Sequence, residues 1–495
     1  MAALVGLVSA PGLFVVARGI VDFSPPWWQH LAQTILPFYA KNTLTVATGA
    51  TAFALLAGGI PAWLTFRYDY PGRPASVFLQ LLPLTIPAYV AAGLFLEASA
   101  SPFFESRAAL ALELGAGAAP LVFLFLRIAL ARLPAALFEA AASLGAGPLE
   151  QFRRVGLPLL ATPLIAAGCL VMAETMSDFG TATRVGIPTL TVGLYQQWFA
   201  LQAPGIATML GLILFVAAAC CATPVIRFGL ARQRANSAAA LQPLSPCPAP
   251  PLGAIAIHAL CLLAAFPGFL APLSLAGRWA ANNIDHVDIR PLFHDAGTTV
   301  STAVLTVTLC LLLTMAFAAL LEPGERASRW DRAVWLAAIN FISPSLVMAT
   351  IWLAAGLTGQ TVIVIATAAK LLPLSLLPVA DAMGRLPASL VESARALGCT
   401  RLAAVRRVVL PQLFPALAGG MLLIYILATA ELTFALTLQS FGYGSLALRI
   451  YSSASLFLTQ NASVWVLCLV LVSLYPVWRL SRFVDAPRGI HALNQ

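Results

Sequence analysis

Long apolar runs alternate with short polar breaks along the whole chain, and most runs approach the 20 or so residues that a helix needs to cross a bilayer. They fall at roughly 2–17, 43–66, 76–97, 110–130, 159–178, 205–228, 252–273, 297–321, 332–356, 360–380, 413–437 and 462–480. Leu and Ala fill them, with scattered Gly and Pro and without the short-period alternation of an outer-membrane strand, so the pattern predicts an all-α integral membrane protein of about twelve transmembrane helices. The first run starts at Met1 with no basic residue before it and Arg18 after it, which reads as a genuine helix rather than a secretory signal.

Two polar islands interrupt this pattern and copy each other. Glu139-Ala-Ala-Ala-Ser-Leu-Gly145 closes with Val155-Gly-Leu-Pro158, and Glu392-Ser-Ala-Arg-Ala-Leu-Gly398 closes with Val408-Val-Leu-Pro411, 253 residues later. Arg132-Leu-Pro-Ala-Ala-Leu recurs as Arg385-Leu-Pro-Ala-Ser-Leu at the same offset, and Pro71-Gly72 is echoed by Pro323-Gly324. Between Ala231 and Pro251 the sequence turns rich in Gln, Ser, Ala and Pro, the composition of a linker. The chain therefore divides into an N-terminal helix and outer loop (1–39), a first core (40–228), a linker (229–251), a linking helix and outer loop (252–294), a second core (295–480) and a tail (481–495). Two homologous six-helix halves of this kind are expected to face each other across a pseudo-twofold axis, with a path between them.

Composition sharpens the class. With 60% hydrophobic and 9% charged residues and a mean hydropathy of +0.89, the chain lacks the polar surface of a soluble globule. Its net charge of +9 comes from short arginine clusters between apolar runs, a placement that fits membrane topology and gives no reason to invoke nucleic acid. Placing both islands in the cytoplasm puts twenty basic loop residues on that side and seven on the other, which predicts cytoplasmic termini. Six of the eight cysteines lie in apolar runs, Cys247 lies in the linker and Cys399 in a basic loop, so neither a disulfide framework nor a zinc site is expected. His286 and His294, with Asp285 and Asp288, read as a solvated loop.

Each island reads as helix, turn, helix. Pro134 and Pro387 suit a first helical turn, and Gly145 and Gly398 suit a left-handed terminus. Leu157-Pro158 and Leu410-Pro411 are expected to break the second short helix just before the next span. A single such island is an ordinary interfacial loop; two at identical internal spacing point to a docking surface.

At these residues the chain resembles the binding-protein-dependent ABC importer permeases, whose cytoplasmic loop carries Glu-Ala-Ala, three residues, Gly, nine residues, an aliphatic, one residue and Leu-Pro. The first copy matches in full, with Val155 at the aliphatic position, and the second departs only at Ser393. The resemblance covers about 40–228 and 295–480. It implies a type I importer (MetI-like) permease fold, with ATPase coupling through Glu139, Ala140, Ala141, Gly145, Leu157, Pro158, Glu392, Ala394, Gly398, Leu410 and Pro411. It also implies two copies of an ABC ATP-binding subunit, a periplasmic binding protein and a place in the bacterial inner membrane. The chain has no Gly-x-x-x-x-Gly-Lys-Ser/Thr, so it is not itself an ATPase; no cofactor is expected in this chain, and ATP and Mg belong to the partner subunit. Within the family the fused form resembles the ferric iron permeases at Pro61-Ala-Trp-Leu, Asp69-Tyr-Pro-Gly-Arg73, Leu84-Thr-Ile-Pro-Ala-Tyr89, Ser177-Asp-Phe-Gly-Thr181, Tyr195-Gln-Gln-Trp-Phe199 and Glu431-Leu-Thr. Related fused permeases carry thiamine or phosphonates.

Ionisable residues inside apolar runs mark a path. Asp178 and Glu431 are 253 residues apart, and Glu174 lies one turn before Asp178; two such carboxylates brought together suit a hard trivalent cation. The alternative is that they cap helices at the membrane surface or pair with Arg184 and Arg449. Lys370 and Asp381 are expected to mark a cytoplasmic end, and loops 179–204 and 438–461 to receive a binding protein. A twelve-helix secondary transporter shares the helix count and leaves the doubled islands unexplained. A membrane-embedded enzyme has no nucleophile, base or metal constellation behind it.

Overall fold

A computed structural model describes residues 21, 25–131, 133–235, 246–284, 288–320, 340–341, 343–386, 388–400, 403 and 405–485. The described chain is almost entirely helical. Among the described residues, nine helices are long and apolar enough to cross a membrane, and a tenth span is added if one bent pair is counted. The run at 2–17 lies outside the described residues, and of the run at 332–356 they show only a shorter apolar helix, Ser345–Ala354.

The repeat extends to the backbone. Leu36–Arg67, Ala135–Ser143, Leu157–Met176 and Gly180–Val185 in the first half return as Ile289–Leu320, Ala388–Ala396, Leu410–Thr429 and Thr433–Leu438, each at the 253-residue offset. The run at 76–97 is not a straight span: Arg73–Leu81 is followed by a tight turn at Leu82–Thr85 and by Ala88–Ala98, with a bend of 81°. Pro83 and Pro87 account for the break, since a proline lacks an N–H and crowds the preceding turn. Pro344 starts Ser345–Ala354 in nearly the same conformation as Pro87, with φ near −57° at both.

Small residues set the tightest helix seam, as expected where lipid offers no competing hydrophobic drive. Gly115 faces the carbonyl of Ala50, where an added Cβ would sit 2.7 Å from the oxygen, and Gly58 abuts the backbone of Ala119. The two halves share one core. Leu346 and Val347 from the second half pack with Leu194, Leu210 and Leu214, while helix Ser463–Asp485 lies along Arg73–Thr85. The linker returns to the first half as a short parallel pairing of Cys247–Pro248 with Tyr68–Asp69, and the following helix, Pro251–Ala265, packs on Leu36–Arg67.

Candidate functional site

In the first island, helix Ala135–Ser143 is held from below by Phe138, which is 2% exposed and stacks near Trp63, itself 4.7 Å from Phe152. Gly145 stops the helix at φ +84°, with its N–H on the Ala142 carbonyl at 2.9 Å and the Ala146 N–H on Ala141 at 3.0 Å. That pair of bonds is a left-handed helix terminus, a conformation costly for residues with a Cβ. Gly398 repeats it at φ +87°, with the Cys399 N–H on the Ala394 carbonyl at 3.0 Å. Beside each glycine stands a bare leucine, Leu144 at 88% and Leu397 at 86% exposure. Glu139, Ala140, Gly145, Leu157 and Pro158 are exposed, as are Glu392, Gly398 and Pro411; Ala141 and Leu410 are half-buried. Ala394 is buried against its own chain, so in the second copy the outward face belongs to Glu392, Ser393, Ala396 and Leu397.

The Leu-Pro pairs do not break a helix. Pro148–Gln151 runs through a wide π-turn at Phe152–Gly156 straight into Leu157–Met176, and the second copy has the same turn at Val405–Val409 before Leu410–Thr429. A π-turn shifts the N–H partner back by one residue, as from Leu157 to the Phe152 carbonyl, so each proline sits in the first turn of the straight helix without leaving an orphaned bond.

Asp178 and Glu431 are helix caps. Asp178 accepts from the N–H groups of Thr181 and Ala182, both at 3.0 Å, and from the Thr181 hydroxyl. Glu431 accepts from the N–H groups of Thr433 and Phe434 at 3.1 and 3.2 Å. Each carboxylate satisfies the free donors of a short helix and meets its positive end. Arg184 and Arg449 take other partners, Glu97 at 3.2 Å and Asp295 at 3.0 Å. Glu97 also accepts from the Thr459 N–H and hydroxyl and from the Gln460 N–H, so this first-half ion pair clasps the second half.

Lys370 does not mark a cytoplasmic end. It is buried, donates to the Ser345 hydroxyl at 2.6 Å, and its Nζ lies 4.0 Å from the Glu174 carboxylate of the other half. Glu431 is within electrostatic reach of both Lys370 and Glu174, and Asp178 of both Glu174 and Glu113. The three sequence-chosen acids thus share one interior region with a lysine and with Glu113, neither of which sequence reading assigned to the path. Lys370 is one of only two lysines in the chain and stands in the middle of an apolar run, a signal that was available. Among the described residues no group of three or more His, Cys, Asp or Glu converges as metal ligands. Asp381 lies on helix Pro373–Arg385.

Loops 179–204 and 438–461 are each partly interior. Gly180–Val185, Leu190–Tyr195 and Leu446–Ser455 contribute buried Thr181, Thr191, Leu446 and Ile450, and Phe179, Tyr195, Tyr451 and Tyr89 form a chain of ring contacts across the halves at 4.4 to 6.5 Å. Matching threonines pin each loop to its half: the Leu190 N–H donates to Thr43 Oγ1 at 3.0 Å and the Leu446 N–H to Thr299 Oγ1 at 2.9 Å. Large apolar side chains left exposed there are Leu201, Phe441, Leu456, Phe457 and Leu458. A second clasp joins the halves at the end of the last helix, where Asp485 receives Arg127 at 3.0 Å and Arg73 at 3.2 Å.

Residues 329–486 match the model of a binding-protein-dependent transport system inner membrane component. This second half therefore fits an ABC importer permease. The first half carries its own copy of the island, the π-turn and the capped helix. Over 168 residues the chain is 32% identical to the sulfate transport system permease protein CysT of Salmonella typhimurium, a match covering 31% of this chain and 60% of that one. It is 29% identical over 180 residues to the molybdenum transport system permease protein ModB of Escherichia coli, covering 33% and 79%. The Fe(3+)-transport system permease protein FbpB 2 of Haemophilus influenzae is 24% identical over 198 residues, covering 39% and 38%. The matches thus take in less than two thirds of the sulfate and of the iron relative.

Proposed function

We propose that this permease chain is the membrane subunit of an ATP-driven importer that moves ferric iron delivered by a periplasmic binding protein. The observation that carries the coupling half of this reading is the doubled island: two identical left-handed termini, each presenting a bare leucine beside a glutamate, built to receive two copies of one partner. That partner is an ABC ATP-binding subunit which holds ATP and Mg, and its closure moves both islands together and tilts the halves. Islands facing the cytoplasm of a bacterial inner membrane, with both termini on that side, follow the arginine asymmetry.

The cargo reading rests on charge. Glu174, Asp178 and Glu431 outnumber Lys370 in the interior region, which favours a cation with oxygen ligands. Oxyanion import is the second reading, favoured by the sulfate and molybdenum relatives and by Lys370 itself; thiamine and phosphonates are further cargoes for the same fold. Uptake of radiolabelled iron, sulfate, molybdate, thiamine and phosphonate in cells lacking this chain separates them. Iron uptake alone should fall, and an isolated loss of sulfate or molybdate uptake would sink the iron reading.

A further inference from the structure

Lys370 and Glu174 form an ion pair across the two halves inside the membrane, and neither has a copy in the repeat. The position equivalent to Lys370 is Gly117, the one equivalent to Glu174 is Leu427, and Glu113 corresponds to Ala366. The backbone at these places does repeat: Gly117 packs against Ala88 as Lys370 reaches Ser345, and Ala88 and Ser345 each follow the proline that starts the helix. A lysine there is therefore not required by the fold.

Its surroundings are those of a cation in a nest of two carboxylates, Glu174 and Glu431. Lys370 is 6% exposed, bonded to one neutral hydroxyl and 4.0 Å from Glu174, with Glu431 in electrostatic reach. Glu174 is the solvent-reachable member, its side chain 31% exposed. Two carboxylates sharing an apolar interior stay ionised together only when a cation stands beside them; otherwise one takes up a proton.

We propose that the Lys370 ammonium is a tethered counter-ion of the transport path, occupying the carboxylate nest when cargo is absent and being displaced by the cargo cation. This rests on the cation reading of the path. The tether makes two things follow: the empty nest stays charge-compensated, and the returning ammonium competes with the cargo and speeds its release. Lys370 acts on cargo through Glu174 and Glu431, so it is a positioning residue.

The test uses native chain, Lys370→Met and Lys370→Arg, each assembled with its ATPase in lipid nanodiscs, with gallium(III) citrate as a redox-inert trivalent probe. Removing a unit charge a few ångströms from the nest is expected to tighten gallium binding at least about tenfold. Maximal uptake should fall while half-saturation improves, and Lys370→Arg should restore native behaviour, since arginine keeps the charge. Thermal unfolding of each variant reports whether it folds, and Glu174→Gln, which removes the ammonium's partner, should weaken gallium binding. Native gallium binding with unchanged affinity in Lys370→Met overturns the counter-ion role and leaves the cation reading standing. No gallium binding by the native chain, together with sulfate or molybdate uptake lost in Lys370→Met, overturns both, with the lysine then a ligand for an oxyanion.

Discussion

The two halves of this chain agree where they meet backbone and differ where they meet charge. Helix bounds, left-handed glycines, π-turns, threonine pins and capping carboxylates recur in both, most of them at one fixed offset. The interior charges Lys370, Glu174 and Glu113 occur once each, as does the clasp of Arg127 with Asp485, whose repeat partners in sequence are Ala380 and Arg232. The difference separates two tasks. In the proposed importer, receiving one kind of partner falls to both halves and is duplicated, while a single path between them needs no duplicate.

The largest effect is expected at the islands. Asp placed at both Gly145 and Gly398 occupies left-handed backbone on an exposed tip, so the chain should stay in the membrane while cargo-stimulated ATP hydrolysis is abolished. Each single variant should fall between, and by similar amounts; one single variant as damaging as the double would show that the islands are not equivalent. Next comes the unduplicated clasp. Asp485→Ala leaves Arg127, buried and already short of partners at Nε and Nη1, without its counter-charge, and should cost about 3–5 kcal/mol in detergent unfolding.

A smaller, symmetric loss is expected at the pins. Thr43→Val and Thr299→Val each orphan one buried N–H, of Leu190 or Leu446, and should destabilise by about 1–3 kcal/mol apiece; clearly unequal values would break the equivalence of the two outer segments. Smallest in stability are Leu144→Ser and Leu397→Ser. Both leucines lie almost wholly in solvent, so unfolding should shift by less than about 0.5 kcal/mol while affinity for the ATPase drops. A stability loss without an affinity loss would place these side chains in the fold and not at the interface.

Much of this was legible in the sequence, for physical reasons. Apolar runs and an exact repeat are long-range signals, so the helices, the two halves and Gly145 and Gly398 as left-handed termini could be read directly. The Leu-Pro pairs misled because proline normally ends a helix, and a π-turn that absorbs the missing bond leaves no local signature. Asp178 and Glu431 were found through their offset, while their capping role depends on short helices folded back between the halves. Lys370 was read as marking a cytoplasmic end although it stands in the middle of the run at 360–380; its neighbours Ser345 and Glu174 are 25 and 196 residues away in sequence, and only folding brings them together.

The central claim is that energy enters from a separate subunit through the two islands. Its most direct test is uptake into proteoliposomes holding this chain, with binding protein outside and ATP inside, with and without the ATPase subunit, and with a proton gradient imposed or collapsed. The account predicts uptake that requires both subunit and ATP and is indifferent to the gradient. Uptake driven by the gradient through this chain alone would contradict it.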